Sequence, residues 1–579
     1  MFISHKMRYF LLFVIFTTFL SAKTLGDSMF TITFEGNQQV SSSDLEKFVG
    51  AKRPSFLKKL WEKDEAKINS ILIPKLDETL EQFYRNEGFY DANVTHVLGE
   101  YKSVKFIIKE NRPIIIDKII VNSNLDISHA MMLEEHTRFR AEDFTETKKN
   151  IKKLLLSQGY CSPDLNTKAY IDLEKYTATI KIKLDKQKIC HFGNISIETH
   201  SPTMSDDIIL SRLQFKTGDV FDINKIKESY ESLYALEAFD QLHLDYSLNL
   251  FNHKPVKIKY KEIRKHIHSR IGVGYATDLK FQAKYHWEYR NYHGNGKKLI
   301  FDTLVSEKQK MVENSFFVPY VFSLYDYHMD LQNSVGYSEE RNIHEYDEKV
   351  FYDRIYLSHK SSRWYNSIGF GIENRDISND KTFFLIYPFM KFIYDRRDSK
   401  LNPTKGIYFS HEMEYGLPYS ADSTTYLKYL EELRAIYTLN DITLSAVGRM
   451  GSIKVYSNDM PESKKFFAGG AFSNRAYSYH RIGIVAKQDE DIIEGGYTLA
   501  NLSLEANFPI YNNFRGAVFT DNTMISENQG IWEFSNNVIT SVGLGFRYMT
   551  PIGPFKIDMG FNVKDRHENA VHFQVGQSF

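Results

Sequence analysis

Past residue 22 the chain has no apolar run that approaches helix-spanning length, for which about 20 consecutive apolar residues are needed. Any insertion of the mature chain into a membrane must therefore use strands. Net charge is also missing: 73 Lys and Arg balance 73 Asp and Glu. No strongly basic patch with interleaved aromatics forms a recognisable module, so no nucleic-acid partner is expected. Cysteine is nearly absent, with two in 579 residues. HExxH, the P-loop, GxSxG and any Cys/His cluster with metal spacing are missing as well. Neither an enzyme nor a cofactor is expected.

What the chain does have begins with MFISHKMRYFLLFVIFTTFLSAKT. Lys6 and Arg8 form a basic start, residues 9–20 an apolar core, and Leu20-Ser21-Ala22 a small-residue cleavage site. The expectation is a signal peptide over 1–22; a membrane anchor is the alternative. No cysteine stands at the cleavage point, which argues against a lipoprotein signal. In an oxidising compartment the pair Cys161 and Cys190 suggests a disulfide. The segment between them reads as two strands around a turn near Glu174-Lys175, which brings the cysteines together. A bridge and two buried thiols both stay open, because register decides whether the Cβ atoms meet. Aromatics reach 15%, with 43 Phe and 37 Tyr. Such usage is common in β-rich proteins and in membrane barrels with aromatic girdles.

From Lys23 to Lys261 the chain repeats itself three times. Leu80, Phe83 and Tyr84 precede Gly88-Phe89; Ile151, Leu154 and Leu155 precede Gly159-Tyr160; Tyr230, Leu233 and Tyr234 precede Ala238-Phe239. The apolar positions share one helix face. The small residue suits a helix C-terminal turn, where glycine accepts a left-handed conformation; Ala238 does so less easily, so the third turn is expected to differ. Alternating strands close each copy: Val104, Phe106, Ile108; Ile180, Ile182, Leu184; Val256, Ile258, Tyr260. Each opens with a strand: FTITFEGN, PIIIDKIIVNS and FGNISIET. The predicted unit is β-α-α-β-β, about 75 to 85 residues long. It resembles the POTRA domain, and three tandem copies resemble the periplasmic arm of an Omp85-family protein.

After about Glu262 period-two alternation replaces helical spacing. Leu502, Leu504, Ala506 and Phe508 alternate with Asn501, Ser503, Glu505 and Asn507; Phe555, Ile557, Met559 and Phe561 alternate with Lys556, Asp558, Gly560 and Asn562. One apolar and one polar face suit a transmembrane barrel, lipid outside and water inside. A closed barrel is one of the two ways to satisfy the backbone in lipid. Sixteen strands fit the remaining length at about 20 residues per strand and connection, since about 9 to 11 residues cross a bilayer. A soluble β-sandwich or propeller is the alternative. The C-terminus, AVHFQVGQSF, puts Val571, Phe573, Val575 and Phe579 on one face. It resembles the insertion signal of outer-membrane barrels.

One stretch, FFAGGAFSNRAYSYHRIG over 466–483, reads as neither helix nor strand. Its Gly469-Gly470 and Arg475-Ala476-Tyr477 resemble the loop of Omp85 barrels that folds back into the lumen with an arginine at its tip. The family pattern is Arg-Gly-aromatic, so Ala476 is a departure that puts the tip geometry in question, since Ala tolerates positive φ poorly. The family pairs its arginine with a carboxylate on an inward-facing strand; Phe519-Thr520-Asp521-Asn522-Thr523 supplies Asp521 here. Phe546-Arg547-Tyr548 looks like the aromatic-x-aromatic element that packs against the loop in the family. Further resemblances are the turn at 550–554, the turn at 395–406 with Asp395, Arg397, Asp398 and Gly406, and a first strand over 271–278. The other reading of Arg475 is a solvated loop charge.

The resemblance covers the mature chain and is closest to the TamA-like branch of the Omp85 superfamily. It implies a signal peptide (1–22), three POTRA units (23–110, 111–186, 187–262) and a barrel (263–579). The barrel would sit in the outer membrane of a Gram-negative bacterium, with the POTRA units in the periplasm. It implies a factor that helps β-barrel or autotransporter-type clients into the outer membrane. Its partners would be unfolded clients, outer-membrane lipid and a TamB-type inner-membrane-anchored periplasmic protein. The rivals are a docking conduit for such a bridge in phospholipid transport and a secretion pore for one passenger. A closed barrel must pair its first and last strands, where Gly272, Gly274, Gly576 and Phe579 fall. Glycine weakens strands, so this seam is expected to open sideways; the other reading is that the glycines only allow curvature.

Overall fold

The computed structural model describes residues 28–54, 63–199, 201, 203–248, 251–277, 280–325, 327–343, 346–361, 363–378, 381–400, 402–485, 493–511, 513–530, 538–550 and 554–575. The expected signal peptide, Asp278, most of the 550–554 turn, Gly576 and Phe579 lie outside them. The chain divides into two compact units. One runs up to His191 with 220–223 and 249–253; the other holds most of the third repeat together with the barrel. No described helix is long and apolar enough to cross a membrane.

The first repeat is a four-stranded sheet in which Met29–Glu35 pairs in parallel with Ser103–Lys109, matching Ile32 to Val104 and Phe34 to Phe106. Helices Ser42–Phe48 and Ile73–Asn86 pack on one face. Alternate strand residues meet the helical stripe in a core of Ile32, Leu45, Leu80, Tyr84, Phe89, Val104 and Phe106. Gly88 ends the second helix at φ +93°, and a Cβ there would lie 2.2 Å from the carbonyl oxygen of Phe139.

The second repeat has strands Ile115–Ser123, Asp164–Asp172 and Thr177–Asp185, the last in the middle, and one helix, Ala141–Ser157. The first of its two expected helices is, among the described residues, only a turn of 3-10 helix at Ser128–Ala130. Ile127, Ala130 and Leu133, all buried, explain this: they recur every third residue, which fits a three-residue turn rather than an α-helical face. Cys161 and Cys190 are bridged, with Cα atoms 6.0 Å apart. The exported protein is therefore expected to run faster on non-reducing than on reducing electrophoresis. Full alkylation of both thiols without reductant would contradict the bridge.

The third repeat contains strands His191–Ile197, Phe239–Asp245 and His253–Glu262, with helices Asp206–Leu210 and Ile223–Tyr234. Its turn does differ from the others. Glu237 takes the left-handed conformation at φ +53°, and Ala238 is instead fully buried beside it. Tyr234, expected on the apolar helix face, is 45% exposed, while Leu236 is buried.

Sixteen antiparallel strands close into a barrel, from Ile267–Ala276 to Asn569–Val575; they are counted here in chain order. Strand twelve, Thr498–Tyr511, shows the alternation: Leu502 and Leu504 are exposed on the outer face, while Ser503 and Glu505 turn to the lumen, where the loop lies. The outer face elsewhere carries Phe301, Val305, Ile355, Phe370, Leu433, Val518, Leu544 and Met559, all exposed. The third repeat is fastened to the barrel. Arg212 forks onto Asp330 at 2.5 and 3.1 Å, and both are buried. Glu237 takes Lys298 at 2.6 Å and Arg290 at 3.0 Å. Burial raises the Glu237 pKa, but the hydrogen bond from the Lys298 ammonium and the positive charges of Lys298, Arg290 and Arg270 together outweigh it, and the carboxyl ends below its ordinary value.

Candidate functional site in the barrel lumen

The loop between strand eleven (Ile442–Ser457) and strand twelve folds into the lumen. Its start is set by two glycines. Gly469 and Gly470 have φ of +99° and +100°, and a Cβ on Gly469 would lie 2.5 Å from the Ser478 carbonyl oxygen. This tight reversal, closed by the Gly470 N–H donating to the Tyr477 carbonyl at 2.9 Å, presents Asn474, Arg475 and Ala476 at the tip. Ala476 is fully buried and is not among the residues with positive φ. The tip therefore does not need the glycine that stands there in the family pattern.

Arg475 is 6% exposed. Its Nε donates to Asp521 Oδ2 and its Nη2 to Oδ1, each at 2.9 Å, and its backbone N–H reaches Oδ2 at 3.0 Å. Its Nη1 donates to Glu505 at 2.5 Å. The guanidinium carbon sits 3.4 Å from the centroid of the Phe519 ring, a stacking geometry that suits a planar cation over a π face. Asp521 and Phe519 lie on strand thirteen, Phe514–Ser526, whose inward positions also include Thr523.

Phe546 and Tyr548, expected against the loop, are turned away from it. Phe546 is 42% exposed, and both rings pack with Phe514 on the outer face. Strand fourteen, Ile539–Tyr548, alternates sides at every residue, so the residue between the two aromatics is the one that points inward. That residue is Arg547, 4% exposed; it reaches Asp558 at 2.6 Å and Glu505 at 3.4 Å. Two arginines and three carboxylates thus form one buried network, in which each charge has an opposite partner within ion-pair reach. Burial without such pairing would be prohibitive.

Asn474, fully buried, accepts from Ser541 Oγ at 2.6 Å and donates to Thr523 at 3.3 Å. Tyr477 accepts from Asn562 at 2.5 Å. Strand fifteen, Phe555–Asn562, comes so close that a Cβ on Gly560 would lie 2.4 Å from both the carbonyl carbon and oxygen of Arg475. A backbone clash cannot be relieved by a side-chain rotation. Gly560→Ala is expected to displace the tip and destabilise the barrel by about 1–3 kcal/mol, read as a lower temperature for loss of heat-modifiable migration. Gly448→Ala is the control, because a Cβ there meets nothing within 4 Å.

A second attachment, which sequence reasoning missed, holds the beginning of the loop to the opposite arc. Lys464 reaches Glu414 on strand nine (Gly406–Tyr415) at 3.0 Å and Glu373 on strand seven (Trp364–Ile377) at 3.3 Å. Arg375, also on strand seven, binds Glu348 on strand six (Tyr346–Lys360) at 2.9 Å and donates to Ser463 at 3.0 Å. Lys428 on strand ten (Thr425–Leu439) donates to the Lys464 carbonyl at 2.7 Å. The signal was available in principle, since Glu373 and Arg375 are two apart on one strand and so share its inner face. Nothing in the sequence indicates which part of a long loop would meet them.

The first and last strands pair to close the barrel. Among the described residues the ladder between them is Tyr275 with Val575 and Ala276 with Gln574, extended by the Thr277 N–H on the Phe573 carbonyl at 3.2 Å. The next shortest ladder, between strands fifteen and sixteen, has six register pairs. Gly272 and Gly274 lie on strand one, where they pair with Lys284 and Gln282 of strand two.

Known proteins resemble this chain along most of its length. The Omp85 superfamily domain matches residues 215–579, and the POTRA family, described as a surface antigen variable number repeat, matches 31–111. A curated relative from Nitratidesulfovibrio vulgaris, named outer membrane protein assembly factor BamA, is 21% identical over 95% of this chain and 73% of its own length. One of the same name from Neisseria meningitidis is 19% identical over 95% of this chain and 78% of its own. The crystal structure of BamA from Haemophilus ducreyi lacking POTRA domains 1–3 superposes with a TM-score of 0.55 at 16% identity, covering 80% of this chain and 99% of that one. The family domain covers more than half the chain, its barrel closes with sixteen strands, and POTRA repeats precede it: the chain belongs to the Omp85 superfamily, an outer-membrane β-barrel with its POTRA repeats in the periplasm.

Proposed function

We propose that this chain is an outer-membrane assembly factor that helps β-barrel or autotransporter-type clients into the membrane through the seam between its first and last strands. The observation that carries this reading is the imbalance of the ladders among the described residues: two register pairs at the seam against six or more along every other wall of the barrel. A client strand could pair with the exposed edge of strand one, exchanging hydrogen bonds without any covalent step. The names of the matched relatives support the same class of activity. The finer reading is a TamA-type factor whose POTRA arm docks a TamB-type periplasm-spanning partner. It rests on the three repeats and the chain length.

Depletion followed by parallel outer-membrane proteomics and lipid analysis tests the proposal. Barrel proteins are expected to fall before lipid composition changes. A lipid change that precedes any loss of barrels would favour the docking conduit, and loss of a single exported protein would favour a dedicated pore.

A further inference from the structure

The three repeats place lysines on the solvent face of the same strand, but only two of them neutralise the charge. In the first, Lys105 meets Glu35 at 3.0 Å; in the third, Lys257 and Lys259 meet Glu198 at 3.0 and 2.8 Å. Glu35 and Glu198 stand at matching places near the end of the opening strand. In the second repeat that place is Asn122, which lies opposite Lys183. Lys183 and Lys181 have no carboxylate partner among the described residues.

The open face gathers further positive charge, although its far end carries the facing carboxylates Asp164 and Asp185. Lys168 lies directly across from Lys181, and Lys118 is on the neighbouring strand, opposite Thr179. All four lysines are exposed. Like charges directly opposite on a sheet destabilise it, so the arrangement carries a cost that its sibling repeats avoid. The helix Ala141–Ser157 packs on the other face, against Ala178, Ile180, Ile182 and Leu184. Tyr170 and Ile120, 50% and 39% exposed, stand among the lysines, and Lys181 lies 5.1 Å from the centre of the Tyr170 ring.

We propose that this face of the second repeat is a docking surface for an acidic, extended polypeptide segment. Lys181 and Lys183 are two residues apart on one strand, about 6.8 Å along it, the spacing of alternate carboxylates on an extended chain. The apolar surface of Tyr170 and Ile120 between the cations suits a polypeptide, whose intervening side chains can pack there. The inference does not depend on the seam, and its test reads binding alone.

The full-length protein in neutral detergent is titrated with a blocked peptide of four Glu-Val repeats, its Gln-Val counterpart, and vesicles containing phosphatidylglycerol. The Glu-Val peptide is expected to bind, with affinity falling steeply as salt rises above about 0.1 M. K181Q/K183Q and N122E are each expected to weaken it about tenfold or more by removing unpaired positive charge. K181Q also removes the opposed pair, so its unfolding temperature is expected to stay the same or rise, which separates lost binding from misfolding. Equal binding by wild type and both variants, or binding to vesicles but not to the peptide, overturns the proposal.

Discussion

A disulfide formed between cysteines at positions 276 and 574 is expected to abolish assembly activity, and a reductant is expected to restore it. Ala276 and Gln574 are direct register partners across the seam. Among the described residues this ladder has two register pairs, and each hydrogen bond is worth about 1 kcal/mol net in water and more in lipid, where no solvent replaces it. Parting strands five and six, Tyr327–Ile343 and Tyr346–Lys360, means breaking a ladder that runs from Asp330–Ser358 to Ile343–Tyr346. On the proposed mechanism, thermal energy populates an open seam but not an open wall. A covalent link removes that open state while leaving the closed barrel intact. The matching control is L331C/L357C, a register pair between strands five and six, which is expected to be harmless. If a verified link at the seam leaves client assembly unchanged, lateral opening is not the mechanism and the docking conduit gains.

Arg475→Ala is expected to destabilise the folded barrel by about 3–5 kcal/mol, the usual cost of removing one partner of a buried ion pair. Asp521 is fully buried and takes three hydrogen bonds from this one residue. The backbone donor survives the substitution, but the two charged donors are lost, and Glu505 also loses a partner. Arg475→Lys keeps the charge but loses the planar fork, so it should recover only part of the loss. Arg475→Ala with Asp521→Asn should cost less than the sum of the single changes, because the second removes the charge that the first strands. Strict additivity, in heat-modifiable migration or in complementation, would show that the two side chains do not act as a pair.

Much of this architecture is legible in the amino-acid order, for physical reasons. The barrel follows from period-two alternation, which has one solution in lipid. The repeats follow from apolar offsets that match in three copies. Asp521 was legible only through the resemblance of its strand to the family motif that pairs with the loop arginine. Arg547 carries a signal of its own: the same alternation that makes Phe546 an outward residue sends Arg547 inward. Gly560 could not be found this way. Its importance lies in the approach of a distant backbone, and a glycine on a strand has no local signature for that. The missing helix of the second repeat was a question of period: a spacing of three in Ile127, Ala130 and Leu133 was there to be read.

The loop's two attachments have a mechanical consequence. The ties described above run from Glu348 on strand six, through Glu373, Glu414 and Lys428, to Asp521, Ser541 and Gly560 on strands thirteen to fifteen. They act as a cross-brace on that arc of the wall, resisting both flattening and shear between neighbouring strands. Strands one and sixteen lie outside the braced arc. The cylinder is thus a hoop of unequal stiffness, and an applied strain concentrates in its compliant segment. On the proposed mechanism, a client strand entering the wall would deform the side that contains the seam, while the braced side would keep its curvature as a fixed reference.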